Sequence, residues 1–281
     1  MPEGPEIRRA ADIVEAALKN RTLTGVFFAF DHLKRYEKDL KASTILGLET
    51  RGKAILTHTD RGLSIYSHNQ LYGRWMVSKA GQVPKSNRQL RLALHNIKNS
   101  AWLYSASDIA VMETSELLRH PFLARIGPDI MSASLKQVMV QLNDPRFRRR
   151  RLGQLLLDQA FLAGVGNYLR SEALHVAGIH PLARPGDCGK KELKALGEAI
   201  LALARRSYEH NGVTNDLAQA SSLKAAGIPR REYRHWVFSR EGRECFRCSG
   251  LITKIPVASR RLYLCSHCQP APVMASQSVV N

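Results

Sequence analysis

The sequence lacks the features that mark membrane, secreted, fibrous and disordered proteins. No stretch approaches 18 uninterrupted apolar residues, and the N-terminus has no apolar segment of the kind found in signal peptides. Its 19 glycines and 12 prolines are too few for a fibrous chain, and an apolar content of 44% is typical of a folded globular protein. We therefore expect no membrane partner, and a cytoplasmic, nucleoid-associated location in a bacterial cell.

Acidic residues are scarce relative to basic ones. The chain has 24 Asp and Glu against 42 Lys and Arg, which gives a net charge of +18 and indicates a polyanionic partner such as nucleic acid. The excess is concentrated in residues 131–281, which contain 23 basic and 11 acidic residues. Arginine clusters within 146–151 and 230–243 favour phosphate binding, although such a run can also be a solvated surface.

Cysteine is absent before Cys188, and the other four cysteines form two closely spaced pairs. Two residues separate Cys245 from Cys248 and Cys265 from Cys268, and sixteen residues lie between the pairs. In a reducing compartment this spacing is typical of a structural zinc site built on a β-hairpin. The alternative, four unconnected buried cysteines, is disfavoured by such regular spacing. The sequence therefore predicts one structural Zn²⁺ and gives Cys188 no role.

The hydrophobic pattern predicts an α+β, multidomain protein. An apolar face at helical spacing predicts an N-terminal helix over residues 5–19, and many short strand-like runs after it predict an antiparallel β-sandwich or barrel. Beyond a breaker-rich segment the pattern becomes helical, and residues 210–232 are predicted to be a loop. The predicted strands are 23–30, 44–49, 54–59, 63–67, 74–78, 90–95 and 101–105, and the predicted later helices are 134–143, 149–161, 167–177 and 190–207.

These patterns divide the chain into four parts. We expect a β-sandwich domain with the N-terminal helix over residues 1–127 and a helical domain over 134–232. A zinc hairpin over 233–269 and a disordered, uncharged tail over 270–281 complete the chain.

A glycine-rich turn separates two of the predicted helices. Gly164, Gly166 and Asn167 form a Gly-x-Gly-Asn turn that opens a helix, and Asn167 is a suitable N-cap. Free backbone N–H groups at such a helix start bind anions. Glycines that serve only helix packing are the alternative, and the arginine run just upstream favours phosphate binding.

The N-terminus can supply a nucleophile. Removal of Met1 would expose Pro2 as a secondary amine. An α-amino group is about 10% neutral at pH 7, against about 0.04% for a lysine amine, so it attacks a sugar C1′ more readily. The neighbouring Glu3 can deliver or collect protons. Many proteins begin Met-Pro-Glu without any such chemistry, so this motif alone leaves both interpretations open.

Several motifs together resemble the formamidopyrimidine-DNA glycosylase/endonuclease VIII family. They occur in family order and span residues 1–268. The resemblance implies an N-terminal β-sandwich, a helix-two-turn-helix domain, a zinc hairpin, and bifunctional DNA glycosylase/AP lyase activity on damaged double-stranded DNA. The matching segments are 1–11 (MPEGPEIRRAA), 49–53 (ETRGK), 66–73 (YSHNQLYG), 104–108 (YSASD), 120–123 (HPFL), 125–129 (RIGPD), 155–164 (LLLDQAFLAG), 166–170 (GNYLR) and the four-cysteine hairpin.

The resemblance also implies roles for individual residues. Pro2 resembles the Schiff-base nucleophile, and Glu3 resembles the general acid that opens the sugar ring or assists departure of the base. Lys53 resembles the lysine that contacts phosphate and transfers a proton in β-elimination. Arg260 resembles the arginine that steadies the phosphates during δ-elimination. Arg125 and Asn167 resemble phosphate-binding residues, and Gln70, Leu71 and Tyr72 resemble the wedge that replaces a flipped nucleotide.

The contiguous wedge and the Pro-Glu-Gly-Pro-Glu start resemble the pyrimidine-directed branch, so we expect oxidised pyrimidines as substrates and a monomeric enzyme. An oxidised-purine glycosylase of the formamidopyrimidine type and a non-enzymatic zinc-ribbon protein remain as alternatives. A helix-hairpin-helix glycosylase is disfavoured by the regular cysteine spacing. A zinc deaminase is disfavoured because the chain has no His-x-Glu sequence.

Overall fold

The computed structural model describes residues 2–272, which divide into two compact units between Met131 and Ser132. The part of the predicted tail from residue 273 onward, like Met1, lies outside the described residues. The finer division of the second half into a helical domain and a zinc hairpin stays a prediction. None of the described helices combines the length and apolar character that crossing a membrane requires.

The first unit is a helix packed on two antiparallel sheets. Helix α1 spans Gly4–Leu18 and α2 spans Asp31–Leu40. One sheet has the strand order β1-β6-β7-β5 and the other has the order β2-β3-β4-β8. The strands are β1 Gly25–Phe28, β2 Ile45–Arg51, β3 Ala54–Thr59, β4 Leu63–His68, β5 Arg74–Lys79, β6 Leu90–His95, β7 Asn99–Tyr104 and β8 Asp108–Glu113.

The largest apolar cluster of this unit joins α1 to both sheets. Ile7, Val14 and Leu18 of α1 share one buried cluster with Ile55 of one sheet and Leu103 of the other. Burial of an aliphatic side chain of this size contributes about 1.5–3 kcal/mol. The predicted N-terminal helix and β-sandwich are therefore confirmed.

Three elements of this unit were not predicted from the sequence: α2, β8 and a 3₁₀ helix over Thr114–Arg119, which has no buried residue. Helix α2 is highly charged, but Leu33, Tyr36 and Leu40 recur at helical spacing and pack on the core, a signal that could have revealed it. The Glu37 carboxylate attaches the helix as well, by accepting a 2.7 Å hydrogen bond from the N–H of Phe28. Strand β8 carries the alternating buried pair Ile109 and Val111, a signal that could have revealed it.

The second unit begins with helices. They are α3 Leu135–Asn143, α4 Leu152–Leu155, α5 Asn167–Val176, α6 Lys190–Glu209, α7 Leu217–Ala225 and α8 Arg230–Tyr233, with a 3₁₀ turn at Pro185–Asp187. The predicted helix over 149–161 is wrong, because α4 has only four residues. The Asp158 carboxylate accepts from the N–H of Ala160, and the Gln159 amide bonds to backbone groups of Leu157 and Gly164. Side chains that compete for backbone groups in this way end a helix.

The predicted loop over 210–232 is also wrong, since it contains α7 and the start of α8. Helix α7 begins after Asp216, whose carboxylate caps it by accepting a 3.0 Å hydrogen bond from the N–H of Gln219. Only Ala220 of α7 is buried, so the helix leaves no apolar stripe in the sequence.

The cysteine region forms the predicted hairpin. Strands β9 (Ile252–Val257) and β10 (Arg260–Cys265) pair antiparallel and are joined by Ala258 and Ser259, both with positive φ. Positive φ at both positions is the mark of a tight hairpin turn. The hairpin has its own small core, made of Val237, Cys245, Ile252, Tyr263 and Cys265.

Candidate active site and metal centre

Pro2 and Glu3 lie at the start of α1. Glu3 is the N-cap residue and is only 2% exposed. Its backbone N–H donates to the Glu6 carboxylate at 3.0 Å, and its carbonyl accepts from Ile7, so the residue following Pro2 is fixed at both backbone groups. A buried carboxyl group is thus held next to the residue that would carry the amine.

Lys53 occupies a tight turn that a buried aspartate holds. Gly52 and Lys53 join β2 to β3, and Gly52 has a φ of 62°. The Asp129 carboxylate accepts from the N–H of Gly52 at 2.7 Å and from that of Met131 at 2.8 Å. Burial raises the pKa of Asp129, and these two hydrogen bonds oppose the rise. Lys53 is itself only 7% exposed, so it lies buried on a turn whose backbone is fixed.

Arg125 precedes that aspartate in the same segment. Its side chain is exposed, and its backbone N–H donates to the carbonyl of Phe122. Because Asp129 is bound to the Gly52 turn, the segment carrying Arg125 is joined to the segment carrying Lys53. Sequence reasoning missed Asp129 as a functional support, although it lies in one of the matching motifs.

The three predicted wedge residues form one turn between β4 and β5. Leu71 and Tyr72 are 50% and 66% exposed, which is unusual for side chains of this size. Gly73 closes the turn by donating its N–H to the Asn69 carbonyl at 2.7 Å. A Cβ on Gly73 would lie 2.5 Å from that carbonyl oxygen, so only glycine fits there.

A group of polar and aromatic side chains lies beside this turn. Tyr66 donates its hydroxyl to the Asp108 carboxylate at 3.2 Å, and its ring lies 4.2 Å from that of His120. Burial and the Asp108 charge raise the pKa of Tyr66. Burial also lowers the pKa of His68, which lies within electrostatic range of Asp108 and Lys53. His68 and Ala54 are register partners in the β3–β4 pair, so the strand end that leads into the wedge turn lies beside the residue that follows Lys53.

Asn167 is the first residue of α5 and not its N-cap, so the predicted capping role is wrong. Gly166 is the N-cap, and the Asn167 side-chain oxygen accepts a 2.8 Å hydrogen bond from the Arg170 guanidinium. With its oxygen engaged, the Asn167 amide presents its NH₂ group as a donor, which suits a phosphate. The Gly-rich turn is held by Gln159, whose amide bonds to Gly164 and Val165.

Arg170 is a site residue that the sequence did not reveal. It is fully buried and donates to the carbonyls of Gly153 and Arg261 in addition to Asn167. Arg170 therefore links the start of α5 to the strand that begins with Arg260. Arg260 itself is exposed directly after the hairpin turn.

The four predicted zinc ligands converge. The sulfur atoms of Cys245, Cys248, Cys265 and Cys268 all lie within 4.8 Å of one another, and neighbouring pairs are 3.4–3.8 Å apart. A tetrahedral zinc–thiolate site with bonds of about 2.3 Å places its sulfurs about 3.8 Å apart. The donor set and spacing therefore fit a closed, four-coordinate metal site.

The arginine run 146–151 is partly neutralised. Arg146 pairs with Asp144 at 2.6 Å, and Arg150 pairs with Asp158 at 2.7 Å. Two of the five arginines thus have acidic partners within the second unit. For these two arginines, the alternative that the run is a solvated surface is sufficient.

Glu172 anchors the hairpin region to α5. Its fully buried carboxylate accepts hydrogen bonds of 2.7–2.9 Å from the successive N–H groups of Trp236, Val237 and Phe238. The Thr214 hydroxyl donates to it as well, at 2.5 Å. Burial raises the pKa of Glu172, and these four donors oppose the rise.

Replacing Glu172 by alanine is expected to lower the free energy of unfolding by at least about 4 kcal/mol. The change leaves three buried N–H groups and a hydroxyl without their acceptor, at about 1–3 kcal/mol each. Urea unfolding followed by circular dichroism measures this loss. Glu198→Ala, at an exposed position of α6, is the control and should cost less than about 0.5 kcal/mol. A loss below about 1 kcal/mol for Glu172→Ala would contradict its anchoring role.

Comparison with known proteins gives consistent matches over nearly the whole chain. Residues 1–106 match the formamidopyrimidine-DNA glycosylase N-terminal domain, and residues 126–218 match the formamidopyrimidine-DNA glycosylase H2TH domain. Endonuclease 8 of Salmonella dublin is 47% identical over 271 residues, which cover 96% of this chain and 100% of that protein.

Solved structures give the same fold. Lactococcus lactis formamidopyrimidine-DNA glycosylase, non-covalently bound to DNA that contains an AP site, has a TM-score of 0.78 at 20% identity. The same enzyme in complex with DNA containing an oxidised pyrimidine has a TM-score of 0.79 at 20% identity. Both comparisons cover 96% of this chain and 100% of the other. The predicted fold class is confirmed by these matches.

Proposed function

The chain belongs to the formamidopyrimidine-DNA glycosylase/endonuclease 8 family, and from this membership we infer that it is a bifunctional DNA glycosylase/AP lyase of base excision repair. The observation that carries this conclusion is the 47% identity to Endonuclease 8 over 96% of the chain. The enzyme removes an oxidised base and then cuts the strand at the resulting site. We further propose that it acts as a monomer on damaged duplex DNA in the bacterial cytoplasm.

Pro2 is the proposed nucleophile once Met1 has been removed. Its nitrogen attacks C1′ of the damaged nucleoside, the bond from C1′ to the base breaks, and the base leaves with the bonding electrons. The attached amine loses its proton, the bond from C1′ to the ring oxygen O4′ breaks, and O4′ takes up a proton. The product is a ring-opened cationic iminium that acidifies the C2′ proton. The burial of Glu3 next to Pro2 supports a role in protonating the sugar oxygen or the departing base.

Strand cleavage follows from that iminium. Loss of the C2′ proton expels the 3′ phosphate in β-elimination, and a second elimination expels the 5′ phosphate and leaves a one-nucleotide gap. Lys53 is the proposed proton-transfer group for the first step. Its support by the Gly52–Asp129 hydrogen bond favours a fixed position for the amine.

Asn167, Arg125 and Arg260 are the proposed phosphate contacts. The fixed orientation of the Asn167 amide and the exposure of the two arginines support this assignment. When bound to the four cysteines, Zn²⁺ holds the hairpin in shape and does no chemistry. The hairpin then presents Arg260 directly after its turn, and Arg170 keeps that strand bound to Asn167.

Arg260→Ala is expected to reduce the salt dependence of DNA binding. Each neutralised phosphate contributes about 0.9 to the slope of log K against log salt concentration. The variant should therefore flatten that slope by about one unit, as measured by fluorescence anisotropy on damaged duplex at several salt concentrations. Arg205→Ala, at an exposed position on α6 paired with Glu209, is the control. An unchanged slope for Arg260→Ala would remove it from the phosphate contacts.

The proposed substrates are oxidised pyrimidines. The exposed contiguous turn of Leu71 and Tyr72 supports this assignment, because an apolar and an aromatic group can replace the stacking lost when a base is flipped. The test is a panel of duplexes that differ only in the lesion, including thymine glycol, dihydrouracil and 8-oxoguanine opposite the same base. We expect kcat/KM to be at least about tenfold higher for the two pyrimidines, and equal or higher values for the purine would assign the enzyme to oxidised purines.

A further inference from the structure

The turn of residues 69–73, which serves as the wedge in the proposed function, is held in an unfavourable conformation. Gln70 has a backbone φ of 50°, in the left-handed region that residues other than glycine, asparagine and aspartate rarely adopt. Leu71 and Tyr72, which follow it, are largely exposed. Since burial contributes little at these two positions, the shape of the turn depends on the hydrogen bond between Gly73 and Asn69 and on polar contacts from outside the turn.

His68 makes the first of these contacts. Its ring nitrogen Nδ1 lies 3.0 Å from the backbone nitrogen of Gln70. Because a backbone N–H can only donate, Nδ1 must be the unprotonated nitrogen of the ring. The ring is fixed in turn by Phe122, whose ring meets it edge-on at a centroid distance of 5.6 Å.

Two further side chains hold the same turn. The Ser107 hydroxyl donates to the Gln70 side-chain oxygen at 2.6 Å, and the Arg88 guanidinium donates to the Tyr72 carbonyl at 2.7 Å. Ser107 directly precedes Asp108, which is the register partner of His68 in the β4–β8 pair. His68 therefore holds the backbone of Gln70 and Ser107 holds its side chain, and both lie at the same end of the β4–β8 strand pair.

We propose that His68 is a positioning residue for base flipping, which fixes the Gln70 turn so that Leu71 and Tyr72 are already arranged for insertion before DNA binds. Ser107 assists through the Gln70 side chain. Ordering a binding turn in advance removes an entropic cost that binding would otherwise carry. This proposal rests on the proposed wedge function of residues 70–72.

The role predicts an effect that depends on the substrate. A base stacked in a duplex must be displaced and replaced by the wedge, whereas an abasic site in a single strand needs no such replacement. Loss of one positioning hydrogen bond corresponds to about a tenfold change in rate. His68→Leu should therefore lower kcat/KM on a thymine glycol duplex about tenfold and change the cleavage of a single-stranded abasic oligonucleotide less than about twofold.

His68→Asn is the matched rescue variant. An asparagine side-chain oxygen accepts a hydrogen bond from the N–H two residues later, so it can replace Nδ1. We expect this variant to recover duplex activity to within about threefold of the wild type. Ser107→Ala, at an exposed position, tests the same turn without a change to the His68 ring, and should lower duplex activity about threefold.

The pH dependence of duplex activity distinguishes this positioning role of His68 from a purely structural one. Protonation turns Nδ1 from an acceptor into a donor, so the hydrogen bond from Gln70 is lost. Burial lowers the pKa of His68, the facing Asp108 opposes this shift, and Lys53 adds to it. The acceptor is therefore retained to a lower pH than in an ordinary histidine, and below that pH the wild type should lose duplex activity relative to His68→Asn.

Each outcome of this experiment has a defined meaning. Equal duplex activity of His68→Leu and the wild type would overturn the proposal. Equal impairment of His68→Leu and His68→Asn would also overturn it, because the ring would then act other than through the turn. A wild-type enzyme that fails to cleave the single-stranded abasic oligonucleotide would instead contradict the proposed lyase function. Thermal melting of each variant verifies that it is folded.

Discussion

A form of the enzyme that keeps a residue in front of Pro2 is expected to lose glycosylase and lyase activity completely. An amide nitrogen has its lone pair delocalised into the carbonyl, so it cannot attack C1′. The experiment compares an N-terminally extended protein with the same protein after a protease has cut directly before Pro2. Cleavage of a thymine glycol duplex should appear only after the protease step.

The uncut protein is the control for the cut protein, because the two samples come from one preparation and differ only in the residues before Pro2. Pro2→Gly, processed to the free amine, should retain weak activity, since it keeps an α-amine with a similar neutral fraction at pH 7. An extended protein that is as active as the cut one would contradict the assignment of the nucleophile to Pro2.

The second large effect is expected from Cys265→Ser. This residue is fully buried in the hairpin core, and its loss would leave three ligands for the proposed zinc. Binding of structural zinc supplies about 10–16 kcal/mol in isolated zinc fingers, and this energy is folding energy. We expect the zinc content to fall from one to zero per chain and the affinity for damaged duplex to fall at least about a hundredfold.

Cys188→Ser is the matched control for that variant. Cys188 lies outside the cysteine cluster, and burial raises the pKa of its thiol to about 11, which disfavours the thiolate that a metal requires. Its replacement should leave zinc content and DNA affinity unchanged. Full zinc content in Cys265→Ser, measured by atomic emission, would contradict the proposed ligand set.

Features that depend on residues close together in the chain were predictable from the sequence. The two cysteine pairs, the strands at 54–59 and 90–95 and the helix at the N-terminus are encoded by residues close together in the chain, and the structure has each of them. For the cysteine pairs, these strands and this helix, local spacing was sufficient. The wedge role of residues 70–72 was predicted from the family resemblance instead, and the conformation of that turn involves the distant residues Arg88 and Ser107.

Features that depend on distant residues were not predictable. Arg170 orients Asn167 and reaches the carbonyl of Arg261, which is 91 positions away. Asp129 supports the Lys53 turn through Gly52, which is 77 positions away. These contacts place the proposed site residues, and no pattern of apolar residues indicates them.

The failures in secondary structure have related causes. The leucine-rich segment 149–161 resembles a helix in composition, but Asp158 and Gln159 bond to the backbone and end it after one turn. Helix α7 has one buried residue, so hydrophobic periodicity did not reveal it, whereas α2 carries Leu33, Tyr36 and Leu40 at helical spacing among many charged residues. The net charge of +18 was a sound guide to a polyanionic partner, although acidic neighbours neutralise two arginines of its densest run.

The central claim is that the nitrogen of Pro2 forms the Schiff base with the damaged strand. Borohydride reduction during turnover converts that iminium into a stable amine, and proteolysis with mass spectrometry then locates the attached sugar. We predict a single adduct on the peptide that begins with Pro2. An adduct on Lys53 or another lysine, with an unmodified Pro2, would contradict the account.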